Sequence, residues 1–267
     1  MRWLACLGLA LIATGAFAGE PLPRDRQQQI LQDALNKFDE AVGHLRSSPE
    51  LAGQKLRQAA SGFQTLIDAG IVNDALELNL GNTYFRLGDF GRAILHYRRG
   101  LRFNPRNSAL TANLDYSRNR VEPAITPNAG EQLIGRLLFW HYTTSLSFRF
   151  AWTLIATFAG WAGLAAWLRW RNGPLLAVAL ILIGLSLANG VSVGWQLREE
   201  SVHPQAVILT GPQTLRSGRG EGYEPVLKQT LGAGVEMRIL NERADWVEVE
   251  LRDGHTGWLP VAALERV

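Results

Sequence analysis

Residues 79–107 read NLGNTYFRLGDFGRAILHYRRGLRFNPRN, and this stretch decides the fold of the first half of the chain. Two segments with apolar residues at helical spacing flank Gly88 and Asp89, a pair that is typical of a turn. The small residues Gly81 and Ala93 allow two antiparallel helices to cross closely. The stretch therefore predicts a compact helix–turn–helix unit.

The same stretch belongs to an internal repeat with a period of 34 residues, since Asn79 and its following leucine recur as Asn113 and a leucine. This period and pattern resemble the tetratricopeptide repeat, with Glu77 where the consensus has tryptophan. The resemblance implies an all-α domain of about five stacked helices over residues 24–121. The residues that match the consensus, and that are expected to pack between helices, are Leu80, Gly81, Tyr84, Ala93, Tyr97 and Pro105.

Polar side chains on this stack are candidates for binding a peptide in a concave groove. Asn82 and Arg86 are four residues apart and share a helix face. Asparagine can bond a peptide backbone, and arginine can pair with a carboxylate. The alternative is a solvated helix face without a ligand. The predicted groove residues are Asn79, Asn82, Arg86 and Asn113. A series of arginines is interpreted instead as a solvated outer face: Arg92, Arg98, Arg99, Arg102 and Arg106.

Two runs without any charged residue, 150–168 and 174–197, are long enough to cross the hydrocarbon core of a bilayer as helices. The link at 169–173 is so short that it predicts an antiparallel transmembrane hairpin. Because short loops rich in arginine stay in the cytoplasm, Arg169 and Arg171 place this link on the cytoplasmic side. Polar residues of the second run bind either a partner helix or their own backbone; they are Ser186, Asn189 and Ser192.

The N-terminal residues 1–18 resemble a secretory signal peptide, with a positive start, a short apolar stretch and a small-x-small cleavage site ending at Ala18. The alternative is an uncleaved anchor. Either way, the helical stack is predicted to be exported. Residues 122–149 form a linker with two prolines, followed by an amphipathic juxtamembrane segment expected to lie against membrane lipid.

Residues 203–267 switch to a period of two, which predicts short strands at 206–209, 235–240, 246–251 and 256–260. This part resembles the bacterial SH3-like domain, which implies a small all-β barrel. The likeness is carried by Val207–Thr210, Arg216, Gly218, Gly220, Gly232, Trp246, Gly257–Pro260 and Ala263–Leu264. Three aromatic residues are candidates for a ligand groove, although the two tryptophans equally fit a core: Tyr223, Trp246 and Trp258.

The composition argues against several kinds of function. A net charge of +3 without a basic tail makes nucleic acid a poor partner. The five histidines are scattered without metal-ligand spacing, and no nucleophile motif is present. Cys6, the single cysteine, lies in the predicted signal peptide and excludes a disulfide framework. We therefore expect no catalytic site, no metal and no cofactor.

The order of the parts resembles the BatE-type aerotolerance proteins, and the whole chain is thus expected to be a multidomain membrane protein. That resemblance implies a scaffold that crosses the bacterial inner membrane twice, with the repeat and SH3-like domains in the periplasm. Its implied partners are membrane proteins with von Willebrand A domains and, indirectly, a MoxR-type ATPase. The alternative is a sensor or tether that binds peptidoglycan through the SH3-like domain.

Overall fold

The computed structural model describes residues 22–130, 133 and 138–267. The predicted signal peptide and half of the predicted amphipathic segment lie outside the described residues. The first part of the described chain consists of antiparallel helices with short links, as the repeat pattern predicts. Their bounds are α1 Arg24–His44, α2 Pro49–Asp68, α3 Asp74–Arg86, α4 Phe90–Phe103 and α5 Ser108–Arg118.

Polar side chains cap the N-terminal ends of the last three helices of the stack, α3, α4 and α5. The side chain of Asn73 accepts a hydrogen bond from the Leu76 amide, and Asp89 accepts one from the Arg92 amide. Asn107 caps α5 in the same way. These bonds satisfy backbone N–H groups that have no partner within a helix. Gly88, between α3 and α4, has a φ of 78°, a left-handed conformation that glycine adopts without steric cost.

Helices α3 and α4 cross closely at Gly81, as the sequence predicts. A Cβ atom added to Gly81 would lie 2.5 Å from Cε1 of Tyr97, and the Tyr97 ring is fully buried. Ala93 and Leu80 are also fully buried. The ring of Tyr84, by contrast, is half-buried and stacks on His96 of α4. The aromatic ring of one helix therefore occupies the space that glycine leaves on the other.

We predict that Gly81→Ala destabilises α3 and α4 by roughly 1–3 kcal/mol, because the Tyr97 ring has no free space to enter. Gly53→Ala in α2 is the control, since its new Cβ meets only the Arg57 guanidinium at 3.6 Å. The control is expected to stabilise its helix by up to about 1 kcal/mol. Hydrogen exchange of each helix in the full chain measures both effects. Equal protection of α3 in the two variants would contradict this packing.

The last part of the chain forms one antiparallel sheet, with strand order β4-β3-β2-β1-β5. Burial alternates along β3, with Val247, Val249 and Leu251 facing the core. The strands are β1 Gln205–Ile208, β2 Glu236–Arg243, β3 Trp246–Leu251, β4 Thr256–Pro260 and β5 Leu264–Arg266.

The sheet is open, so the closed barrel predicted from the sequence is wrong. The edge strands β4 and β5 do not pair with each other, although a single 3₁₀ turn, Val261–Ala263, connects them, and β5 pairs with β1 instead. The outer edge of β4 pairs instead with the preceding long loop. There the backbone of Arg216 exchanges two hydrogen bonds with Trp258, of 3.1 and 2.8 Å. Edge hydrogen bonding is thus satisfied locally without strand closure.

The helical stack and the sheet share one hydrophobic core, although the sequence pattern treats them as separate domains. Ile94 and Val121 join Ile208 of β1 in a single buried apolar cluster. Contact is close enough that a Cβ on Gly91 of α4 would lie 2.8 Å from the Ile208 carbonyl oxygen. The amide of Gly232 also donates to the Glu122 carbonyl at 2.8 Å. The two parts therefore pack as one body.

A carboxylate that is only 11% exposed, Glu236 of β2, joins the stack to the sheet. Arg118 of α5 donates two hydrogen bonds to it, of 2.6 and 2.8 Å, and Arg98 of α4 lies 3.4 Å away. The next residue of α4, Arg99, bonds Glu265 of β5. The interpretation of the arginine series as a solvated outer face is therefore wrong for Arg98 and Arg99. Their helix face is covered by the sheet.

The charges around Glu236 make this joint sensitive to acid. Burial acts to raise the pKa of Glu236, but the hydrogen bonds from Arg118 and the charges of Arg98, Arg118 and Arg252 outweigh burial and lower it. A carboxylate with a lowered folded-state pKa stabilises the fold fully above its ordinary pKa of about 4.3. That stabilisation is lost as the pH falls through the folded-state pKa.

We predict that Glu236→Gln weakens the joint by about 1–3 kcal/mol near neutral pH and removes most of its acid sensitivity. The stability of the joint is measured at neutral pH and below pH 5. The readout is the protection of the interface amides of Gly232 and Gly234 against hydrogen exchange, corrected for intrinsic rates. Glu248→Gln, on the outer face of β3, is the control and should behave like the parent protein. If amide protection at the joint falls with pH in the same way in the parent protein and in Glu236→Gln, the prediction is refuted.

A helical hairpin separates the stack from the sheet in the sequence. A short helix, α6 (Phe139–Tyr142), precedes α7 (Leu146–Trp170) and α8 (Gly173–Val202). Both long helices extend beyond the predicted runs, so only Arg171 and Asn172 remain as the link. Both are long and apolar enough to cross a membrane.

Polar residues of α8 contact α7 within the same hairpin. Asn189 donates to the Arg149 carbonyl at 2.9 Å and to Thr153 Oγ1 at 3.0 Å. Ser192 accepts a hydrogen bond from the Arg149 guanidinium at 2.8 Å, and Ser186 shares one with Thr157. Such bonds between helices hold a hairpin together where water is excluded.

Candidate functional site

Helices α1, α3 and α5 line one side of the stack, which we call the odd-helix face. The guanidinium of Arg86 in α3 lies over the Phe38 ring of α1, 5.5 Å from its centre. On the other flank, Asn82 of α3 bonds Asn113 of α5. The odd-helix face thus brings together all the residues predicted to form a peptide groove, including the half-buried Asn79.

Two of those predicted residues are hydrogen-bonded to the stack itself. The Asn82 side-chain oxygen accepts a bond from the Tyr97 hydroxyl at 2.9 Å and another from the Asn113 amide at 2.8 Å. Burial raises the pKa of Tyr97 well above its ordinary value, which keeps the phenol protonated as a donor. Asn82 and Asn113 therefore hold α3, α4 and α5 in register beneath the odd-helix face.

Arg86 is an exposed cation on the odd-helix face. Its contact with the Phe38 ring orients the guanidinium plane, and the N–H edge of a stacked guanidinium stays available for a carboxylate. Arginine binds carboxylates through two parallel hydrogen bonds. The arrangement is chemically suited to an acidic group on an extended ligand.

The same repeat contains a buried polar pair that was not predicted from the sequence. Glu77 Oε2 and His96 Nδ1 lie 2.7 Å apart, and both side chains are almost inaccessible. Glu77 occupies the consensus tryptophan position, so a hydrogen bond across α3 and α4 replaces an apolar contact. Two features of the sequence together indicate such a pair: an acid at a core position of α3 and a histidine on the facing side of α4. A buried acid needs a hydrogen-bond partner, and the histidine can supply it.

The two tryptophans of the sheet lie on its outer face, away from the shared core. Trp258 pairs with Glu248 in the β3–β4 register, and Trp246 pairs with Pro260. These positions alternate with the buried ones, and both tryptophans are partly buried rather than part of the shared core. Beside Trp246 lies a cavity of about 160 Å³, lined also by Pro212, Gln213, Thr214, Arg216, Glu221 and Pro260.

The glycine-rich loop beside this face is held by its own side chains. The Tyr223 ring lies so close to Gly218 that an added Cβ would be 2.3 Å from the ring, yet Tyr223 is 53% exposed. The Arg216 guanidinium donates to the Tyr223 carbonyl at 2.9 Å. Arg219 lies over the Trp258 ring, 5.6 Å from its centre. The three predicted aromatic ligand residues are thus accessible, but they do not form one closed groove.

A family profile of the tetratricopeptide repeat matches residues 75–107, which span α3, α4 and their turn. Comparison with curated proteins and with solved structures gives no match. The chain therefore contains a tetratricopeptide repeat, a class of module that supports protein–protein interaction. Within residues 22–130, 133 and 138–267, no group of three or more histidine, cysteine or acidic side chains is placed to hold a metal ion.

Proposed function

We propose that this chain is a non-enzymatic membrane scaffold that recruits other proteins through its tetratricopeptide repeat. The observation that carries the proposal is the repeat at 75–107, built into one body with the sheet and connected directly to an apolar hairpin. A repeat of this kind supplies a binding surface, and a hairpin supplies an anchor. The outer face of the sheet, with the residues that resemble an SH3-like domain, supplies a second surface.

The stack and the sheet lie at the same end of the hairpin, opposite Arg171. The short link makes α7 and α8 antiparallel, so both outer ends meet at one side. At that side Arg106 donates to the Thr143 carbonyl at 3.1 Å, just before α7. Arg102 bonds Glu200 near the end of α8 at 2.7 Å. Both surfaces are therefore presented on one side of any bilayer that the hairpin crosses.

Membrane insertion of the hairpin is supported by its apolar surface, on which Phe158 is 74% and Val191 70% exposed. Such exposure of large apolar side chains along two adjacent helices suits lipid rather than water. Arg169 and Arg171 favour a cytoplasmic link. We therefore propose a two-pass inner-membrane protein with the stack and sheet in the periplasm.

A cysteine at Asn172 should be protected from a membrane-impermeant thiol reagent in intact spheroplasts, whereas one at Gln229 should react. Both positions are exposed in the structure, and Cys6→Ser provides the cysteine-free background. Permeabilised cells are the control, because there both cysteines should be labelled. Labelling of position 172 from outside would overturn the proposed orientation.

The ligand that we propose for the odd-helix face is an extended acidic or C-terminal segment of a membrane partner, held by Arg86. The resemblance to aerotolerance proteins suggests von Willebrand A-domain proteins as partners, with a MoxR-type ATPase reached through them. Anchoring in the same membrane raises the effective concentration of such partners. A contact of modest affinity would then suffice for assembly.

We predict that Arg86→Glu lowers partner recovery by at least ten-fold, or about 1.4 kcal/mol, because it replaces an attraction to a carboxylate with repulsion. Arg57→Glu is the matched control, since Arg57 is an exposed arginine on α2, which belongs to the other side of the stack. Affinity purification of the full chain from membranes, with quantification of bound proteins, measures the effect. Equal losses in both variants would mean that net charge, not this face, decides binding.

The second candidate function is peptidoglycan binding through the sheet, favoured by the exposed ring of Tyr223 and the partly buried ring of Trp258. Aromatic side chains on an outer sheet face can stack on a polymer ligand. Trp258→Ser is the corresponding variant in the same purification, with cell-wall sedimentation added. If Trp258→Ser abolishes recovery or sedimentation while Arg86→Glu changes neither, the sheet is the binding surface and the odd-helix proposal is wrong.

A further inference from the structure

We propose that the C-terminal end of α4 is a lipid contact that rests in the headgroup layer beside the hairpin. We call this surface the α4 foot, and it consists of Arg102, Phe103 and Arg106. The inference rests on the proposed insertion of α7 and α8 in a membrane. It adds a second point at which the protein touches the bilayer, on the helical stack itself.

The α4 foot lies at the level where α8 leaves its apolar run. Arg102 bonds Glu200, which is three residues, or about 4.5 Å of helix, beyond the last residue of the uncharged run of α8. The headgroup layer extends roughly 5–8 Å beyond the hydrocarbon on each side, so this bond holds the foot at headgroup depth. Arg106 bonds the carbonyl of Thr143, three residues before α7 begins and seven before its uncharged run, which joins the foot to the other end of the hairpin as well.

Phe103 gives this position an apolar anchor. It ends α4 on the same helical stripe as Arg99, four residues before it, and directly follows Arg102 in the chain. Those arginines bond the sheet and the hairpin, whereas the Phe103 ring is 46% exposed. A large aromatic flanked by arginines is the combination found where a protein surface meets headgroups.

The occupant we infer is lipid, because the foot is bonded to a segment of the hairpin that carries exposed apolar side chains on both sides. Phe139, in the short helix before α7, is 63% exposed, and Phe148 in the first turn of α7 is 60% exposed. Arg106, bonded to the segment between these two phenylalanines, connects Phe103 with them. The guanidinium groups also suit lipid phosphates, which accept charge-assisted hydrogen bonds.

Depth-dependent fluorescence quenching of the full chain tests this contact. Single cysteines replace Phe103, Tyr116 or Phe158 in the Cys6→Ser background, and each carries an environment-sensitive fluorophore. The proteins are reconstituted in vesicles of phosphatidylcholine and phosphatidylglycerol with a nitroxide on either the headgroup or the acyl chain. Phe158, on the exposed surface of α7, reports insertion of the hairpin.

Tyr116 is the matched control for Phe103. It is an aromatic residue of the same stack, 52% exposed, and its ring contacts Phe85, which in turn contacts Phe90 at the start of α4. Phe90 lies thirteen residues, about 20 Å, from Phe103 along the helix. A label at Tyr116 is therefore similar in exposure but distant from the foot.

The headgroup nitroxide should quench the label at Phe103 at least about two-fold more than the label at Tyr116, while the acyl-chain nitroxide quenches Phe158 most. Equal quenching at Phe103 and Tyr116, with Phe158 quenched, would overturn the α4 foot and leave the membrane anchor standing. Absence of quenching at Phe158 would overturn the membrane anchor and the foot together.

Discussion

The close packing of α4 against everything around it is the constraint on which the rest of the structure depends. Gly81 of α3 admits the Tyr97 ring, Gly91 lies against the backbone of β1, and Gly100 lies against a leucine of α5. Each position lacks room for a side chain, so three different neighbours approach the same helix at short range. Close approach maximises apolar burial and dispersion contacts. Because of it, the repeat and the sheet form one body.

The elements of this fold follow from local sequence periods, whereas their assembly does not. Gly81 and Ala93 mark the helix crossing, two uncharged runs mark the hairpin, and alternation marks β3. The joint at Glu236, however, pairs residues 118 positions apart, and no local period encodes such a contact. The open sheet was missed for a similar reason, since closure depends on which partner reaches the edge of β4 rather than on the strands themselves.

In the candidate site, too, the sequence predicts the positions of side chains on a helix but not their partners on other helices. The sequence places Asn82 and Arg86 on one helix face, which the structure retains, but it does not show that the Asn82 oxygen is engaged by two neighbouring helices. Likewise, Glu77 stands out as a departure from the repeat consensus until its partner His96 is seen across the helix pair. Buried polar groups require partners, and those partners come from the facing helix in each case.

The hydrogen bonds that hold Asn82 have a consequence for how quickly a bound segment would leave the odd-helix face. A side chain already fixed by Tyr97 and Asn113 loses little rotational freedom when a ligand arrives, so the surface is preorganised. Differences in affinity among ligands would then come mainly from how well each one fits a rigid template. Such differences are expressed chiefly in dissociation rates. On the proposed function, a stiff face of this kind would select partners by residence time.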